Sequence, residues 1–280
     1  MKRFLLLVII AGVQAQAQNI VLKDNRIIAG KELRRSGETV MTKAQMGAAI
    51  GDVGYPVNTI ARIEFPEPPE LQAATDLILQ GKAADALVKI DPVVKAQSPF
   101  KDIQGNYWAQ AAQIKLTALA ATQSDGDAEA LITDMLNTNA DNEIVLYARV
   151  RRAAGLARKG NGKQAIEVCD QVIKESKRKA TLADAWYTKG ISLLQQNQFD
   201  PALLALLHIS IYYPDQKLLM PGVLLACAKA YSGNEDFVNA KASLDELIKT
   251  YPASMEATPA KAELKKVENK SSSKQPAPNP

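Results

Sequence analysis

The side chains that usually do chemistry are scarce in this chain, and those present lack companions. Among 280 residues there is one histidine, His208, and there are two cysteines, Cys169 and Cys227. An activated nucleophile needs a base beside it, and zinc needs three or four ligands at set spacings. A single histidine cannot supply either arrangement in its usual form. No GxSxG, HExxH or GxxxxGK(S/T) stretch occurs. Asp125-Gly126-Asp127 opens like a calcium loop, but the later ligands and the closing glutamate are missing, so it reads as a turn followed by a helix cap. Thr181-x-x-Asp184 reads as a capping arrangement, and Asp245-Glu246 as neighbours on a solvated helix face. His208 is expected on an exposed face. Both cysteines fall among Ala, Val and Leu, as small buried hydrophobes do, with a disulfide between them as the other reading. The expectation is a protein without catalysis, metal or cofactor; hydrolysis by carboxylates alone is the one class these absences leave untouched.

Whatever function remains must come from surfaces, and composition says which elements build them. Apolar residues make up 47% of the chain, enough for a sizeable core, while aromatics are only 5%. Abundant Ala and Leu favour packed helices over a β-sandwich. Lys and Arg number 34 against 30 Asp and Glu, and the excess falls to two if Lys2 and Arg3 are removed with a leader. That is too weak a bias to imply nucleic acid or an anionic membrane as partner.

The leader is expected from Met1-Lys2-Arg3, the uncharged run Phe4 to Val13, and the small-x-small triplet Ala15-Gln16-Ala17. The run covers roughly half a bilayer core at 1.5 Å per residue, too short for a good anchor. Residues 1–17 thus read as a signal peptide cleaved near Ala17, leaving a soluble periplasmic or secreted chain with no integral membrane segment. An uncleaved N-terminal helix is the alternative.

Residues 18–65 have a β-like texture. Ile20-Val21-Leu22 and Ile27-Ile28 flank Asp24-Asn25, a pair suited to a tight hairpin. Ser36-Gly37 marks a second turn, Gly51 and Gly54 bracket a third, and Tyr55 to Phe65 supplies strand formers. Four or five short strands in a small barrel or curled sheet are expected, with an SH3-like barrel as one form. Pro66-Glu67-Pro68-Pro69 ends this segment and suits a helix start.

From there to residue 268 the apolar period is near 3.6, and the segment repeats. Ala183 to Gln216 spans 34 residues with Trp186 fourth, Gly190 eighth, Phe199 seventeenth, Ala202 twentieth and Pro214 thirty-second. Pro221 to Ser254 places Ala228, Tyr231, Phe237, Ala240, Leu247 and Pro252 in the same frame. These two units resemble tetratricopeptide (TPR) repeats, in which Gly190 and Ala202 would sit where the two helices of a unit cross. Glu67 to Phe100 and Leu146 to Lys179 resemble the family more weakly, and a fifth pair between them is placed by position. The implied fold is mainly α: five helix pairs plus a capping helix within 66–268, then a disordered tail over 269–280. A plain helical bundle is the rival. The endings YYPDQ and TYPAS resemble those of envelope TPR proteins, of the Tol–Pal-associated division coordinator and outer-membrane assembly type, although no lipid-anchor cysteine stands near Ala17.

In a TPR array the first helix of each pair lines a concave surface, so the resemblance implies a binding groove. It would hold Tyr187 and Ile191, then Leu225 and Lys229. In the Leu146 unit it would hold Tyr147 in one register or Arg151 in the register one residue later; packing of the array alone is the other role for these side chains. With Arg151, Tyr187 and Lys229 in one strip, the partner segment is expected to be acidic and apolar, and Arg151 and Lys229 to be exposed charges of little consequence for stability. The function expected is an exported scaffold that binds an envelope protein or peptide. The alternative is an assembly or enzyme-accessory factor whose β-module binds the partner while the solenoid is structural. Partner, pathway and oligomeric state are not written in the sequence.

Overall fold

The computed structural model describes residues 18–46, 49–138 and 142–274; the expected leader and the last part of the expected tail lie outside them. The chain divides into two compact units. The first contains residues up to Glu67 together with Ile103–Asn106, and the second contains Pro68–Asp102 and everything from Tyr107 on.

Among its described residues the first unit holds six strands: β1 (Gln18–Leu22), β2 (Ile27–Gly30), β3 (Arg34–Ser36), β4 (Thr39–Met46), β5 (Ala49–Pro56) and β6 (Ile60–Glu64). They form two antiparallel sheets of order β2-β1-β6 and β3-β4-β5. The β1–β2 hairpin turns at Asp24-Asn25, Asn25 taking φ 68°, and β3–β4 turns at Gly37. The expected third turn is misplaced: Gly51 and Gly54 lie inside β5, opposite Ala44 and Met41. Gly54 is required there by a close approach, since a Cβ would stand 2.7 Å from Thr39 Cγ2 and 2.9 Å from Met41 Sδ. A glycine in a strand marks such contacts as readily as it marks a turn. Thr42, fully buried, ties the sheets together: its hydroxyl accepts from the Lys31 N–H and donates to the Lys31 carbonyl. The unit also takes in a piece of later chain, for the Ile63 N–H donates to Gln104.

The second unit is a TPR-like solenoid of eleven helices among the described residues. The pairs are α1 (Pro69–Leu79) with α2 (Ala83–Gln97), α3 (Trp108–Ala121) with α4 (Asp125–Leu136), α5 (Asn142–Arg158) with α6 (Gly162–Glu175), α7 (Lys179–Gln195) with α8 (Phe199–Tyr212), and α9 (Met220–Gly233) with α10 (Phe237–Thr250). Helix α11 (Ala257–Lys274) follows as the cap. It runs six residues into the stretch expected to be disordered; Val267, fully buried, anchors it, and Lys241 on α10 pairs with Glu268.

One device ends the first helix of every pair. Gly81, Gln123, Gly160, Asn197 and Glu235 all take positive φ. Each donates its N–H three residues back, and the residue after it donates five back, to Leu77, Leu119, Leu156, Leu193 and Tyr231 respectively. That is the Schellman arrangement, which satisfies the last carbonyls of a helix and reverses the chain. The turn residues recur at steps of 42, 37, 37 and 38, wider than the 34-residue frame, because the links between pairs vary. The next helix then brings a small residue to the crossing: Ala86, Ala165, Ala202 and Ala240 are fully buried. Gly190 lies at the α7–α8 crossing, where a Cβ would stand 2.7 Å from Leu206 Cγ. The core runs as overlapping clusters along the array, from Trp108 and Leu116 through Leu146 and Cys169, then Leu206 and Ile209, to Leu244 and Leu247.

Three local expectations need correction. Asp125 to Asp127 form the acidic first turn of α4 rather than the turn before it. Thr181 and Asp184 do not cap a helix; both are buried within α7, which starts two residues before Thr181. His208 is not fully exposed but half-buried, because α8 carries it into an aromatic group. Its ring centroid lies 4.4 Å from those of Trp186 and Tyr212 and 5.8 Å from that of Tyr213, and burial lowers its pKa.

Candidate binding groove in the helical unit

Tyr147 and Arg151 are four residues apart on α5, so the two registers left open by the sequence put both side chains on one helix face. That face looks onto α7, where Asp184 and Tyr187 are three residues apart on the facing surface. Arg151 pairs with Asp184 at 3.3 Å, their side chains 16% and 7% exposed. Burial pushes the Tyr147 hydroxyl far up from its ordinary pKa, and the Asp184 carboxylate adds to this while Arg151 opposes it. For Arg151 burial works against the charge, but the oxygens of Tyr147 and Asp184 outweigh it, so the guanidinium stays charged. The expectation of a freely exposed arginine therefore fails: Arg151 is neutralised by a buried partner.

Two pockets, of about 210 and 380 Å³, flank this pair. The larger is mixed, about evenly polar and apolar. Gln72, Gln110 and Gln113 line it from α1 and α3, with Tyr147 and Asp184 opposite. The smaller is mainly apolar, with Ile78, Ala121, Leu219 and Met255 in its wall and Arg151, Tyr187 and Glu256 as its ionisable groups. Thr117, Leu218 and Leu219 line both, so the two pockets adjoin. Gly222 lets the Tyr187 hydroxyl rest against α9; a Cβ there would stand 2.5 Å from it. At one end the α1–α2 turn meets the segment before α11: Gly81 takes φ +73°, and a Cβ on it would stand 2.4 Å from the Ala253 carbonyl oxygen. The first and last parts of the array thus enclose the smaller pocket together.

Of the residues expected in the groove, the fold brings Tyr147, Arg151 and Tyr187 together. Ile191 packs into the α7–α9 core and Leu225 against the α9–α11 core. Lys229 is exposed on α9 and lines neither pocket. Asp184 was hidden by its resemblance to a cap. Leu218 and Leu219 belong to the four residues separating the two clearest repeats, and Leu218 reaches across to pack on the α1–α5 core. That interruption of the 34-residue frame was the available signal. Cys169 and Cys227 are free and buried, each thiol pushed up to about 12, chiefly by burial. Among the described residues no cluster of three His, Cys, Asp or Glu side chains is arranged to hold a metal, and no helix is long and apolar enough to cross a membrane.

No protein-family model matches the chain, and no curated protein matches it in sequence. Among solved structures it is similar to PlcR of Bacillus thuringiensis, solved in complex with the peptide PapR7 and DNA, with 14% identity and a TM-score of 0.51 over 70% of this chain and 72% of that one. It also matches YrrB, described as a TPR protein with an unusual peptide-binding site, at 18% identity and a TM-score of 0.36 over 70% and 92% of the two chains. The PlcR likeness concerns the fold alone, and the YrrB superposition is too loose to carry more.

Proposed function

We propose that the protein is an exported, non-catalytic scaffold of the bacterial cell envelope, and that its helical unit holds an extended segment of a partner protein in the groove. The observation that carries this reading is the adjacency of the two pockets, which share Thr117, Leu218 and Leu219 in their walls along the first helices of the array. The groove offers what a peptide needs: carboxamides for backbone groups, an aromatic anchor in Tyr187, and apolar wall. A peptide is also the ligand in the PlcR complex, which supports the choice of ligand class. That complex contains DNA as well; here the small net charge speaks for protein rather than nucleic acid. The basic start, apolar run and Ala15-x-Ala17 triplet support export, with Gln18 as the mature N-terminus.

The test is site-specific photo-crosslinking in cells. A photoreactive residue at Gln113 or Thr117 should capture a defined envelope protein that one at exposed Val88 does not. Capture only from Ile50, exposed on β5, would shift the function to the β-unit and leave the solenoid structural. Intact-mass measurement of the exported chain settles the leader: Met1 to Ala17 still attached would end that part of the reading.

A further inference from the structure

The smaller pocket has an unbalanced charge. Arg151 is matched by Asp184, but Glu256, half-buried just before α11, has no cation within ion-pair distance among the described residues. Two hydroxyls stand with it. Ser254 Oγ, on a residue 8% exposed, lies sealed beneath the surface beside Glu256, closed to any guest. Tyr187, half-buried on α7, lines the same pocket as Glu256. A half-buried carboxylate without a cation costs free energy. That cost is relieved by one kind of guest, a group with several donors, a positive charge and no acceptor.

The ammonium of lysine is such a group, with three donors on a compact charge. Its four-carbon stem suits the rest of the pocket, since long basic side chains lay their methylenes on apolar surface while the head seeks polar partners. Ile78, Ala121, Leu219 and Met255 provide that surface, and about 210 Å³ gives room for a side chain but not for a folded element. The helix start that follows Glu256 favours its anionic form.

We propose that the smaller pocket takes a lysine side chain of the partner segment, its ammonium held by Glu256 and Tyr187. This rests on the groove being the partner-binding surface, and it reverses the acidic partner expected from Arg151 and Lys229. The test uses the full chain with methyl-labelled methionine and capped hexapeptides, acetyl-Ala-Leu-Lys-Leu-Ala-Ala-amide and the same peptide with norleucine or glutamate at the third position. The lysine peptide should shift the Met255 methyl resonance. It should bind about tenfold or more tightly than the norleucine peptide, as hydrogen bonds to a charge imply, and lose a similar factor on Glu256→Gln. Equal binding by norleucine overturns the lysine assignment and leaves an apolar groove. Tighter binding by glutamate, or no lysine-peptide shift at Met255, also overturns it. An uncapped norleucine peptide that binds where the capped one fails would assign the site to a chain terminus instead. Crosslinking at Gln113 and Thr117 reports separately on the groove, so the two readings can fail independently.

Discussion

Removing Asp184 should cost far more than a surface charge does. Asp184→Ala leaves the Arg151 guanidinium beside Tyr147 with no counter-charge, and breaking a buried pair by deleting one partner costs about 3–5 kcal/mol. Arg151 also lines the smaller pocket, so water can reach part of it, which places the expected loss near the lower end, about 3 kcal/mol. At roughly 2–4 °C per kcal/mol for a unit of this size, the melting temperature should fall by roughly 6–12 °C. Arg151→Met should cost at least as much, because it strands the better-buried carboxylate. The double variant Arg151→Met/Asp184→Leu should be more stable than either single one, since it removes both charges and fills the space. Urea titration of all four proteins, followed by helical circular dichroism, measures the cycle, with a coupling of about 2 kcal/mol or more expected for groups in contact. A loss within about 0.5 kcal/mol for Asp184→Ala would mean that the pair behaves as an exposed one, and the account of a neutralised arginine would be wrong.

Gly190→Leu should overpack the α7–α8 crossing against Leu206 and destabilise by about 1–3 kcal/mol, read as a lower urea midpoint; an unchanged midpoint would place Gly190 away from the crossing. Glu256 has its pKa raised above 4.5 in the folded chain, mainly by burial, against the pull of its own backbone N–H. The folded state therefore holds that proton more tightly than the unfolded one, and ionisation lowers stability as pH rises from below 4.5 through the raised value. Arg151 and Tyr187, the other ionisable groups of the pocket, keep their charge states across that window. Glu256→Gln should match the wild type near pH 4 and melt higher at pH 7; a lower melting point at pH 7 would show that the carboxylate serves the fold.

The parts legible in the sequence were those whose side chains mark the packing directly. Trp186, Gly190, Phe199 and Ala202 gave the α7–α8 pair because small residues at a crossing and aromatics beside it are scarce enough to register. The turns were partly legible: Gly81 and Gly160 advertise positive φ and Asn197 does so more weakly, whereas Gln123 and Glu235 adopt it under pressure from the same hydrogen bonds and carry no compositional sign. Long-range chemistry was least legible. Thr181-x-x-Asp184 matched a local motif, and only the approach of α5 shows that Asp184 answers Arg151 from 33 residues away. His208 looked exposed because nothing nearby in sequence predicts that Trp186 will cover it. In the β-unit, Gly51 and Gly54 were read as turns because glycine signals both reversal and crowding.

The contact between the Gly81 turn and Ala253 changes what kind of object the solenoid is. An open repeat array behaves like a row of dominoes: each unit answers to its neighbours, and the ends fray first. Here the first turn also touches the segment before the cap, so the two ends of the row share one pocket wall. Prising α1 away would unwall the pocket that Ser254 and Glu256 help to form, on the far side of the sequence. A ligand bridging that seam would act as a clasp, tying the two ends together rather than stiffening one pair of helices.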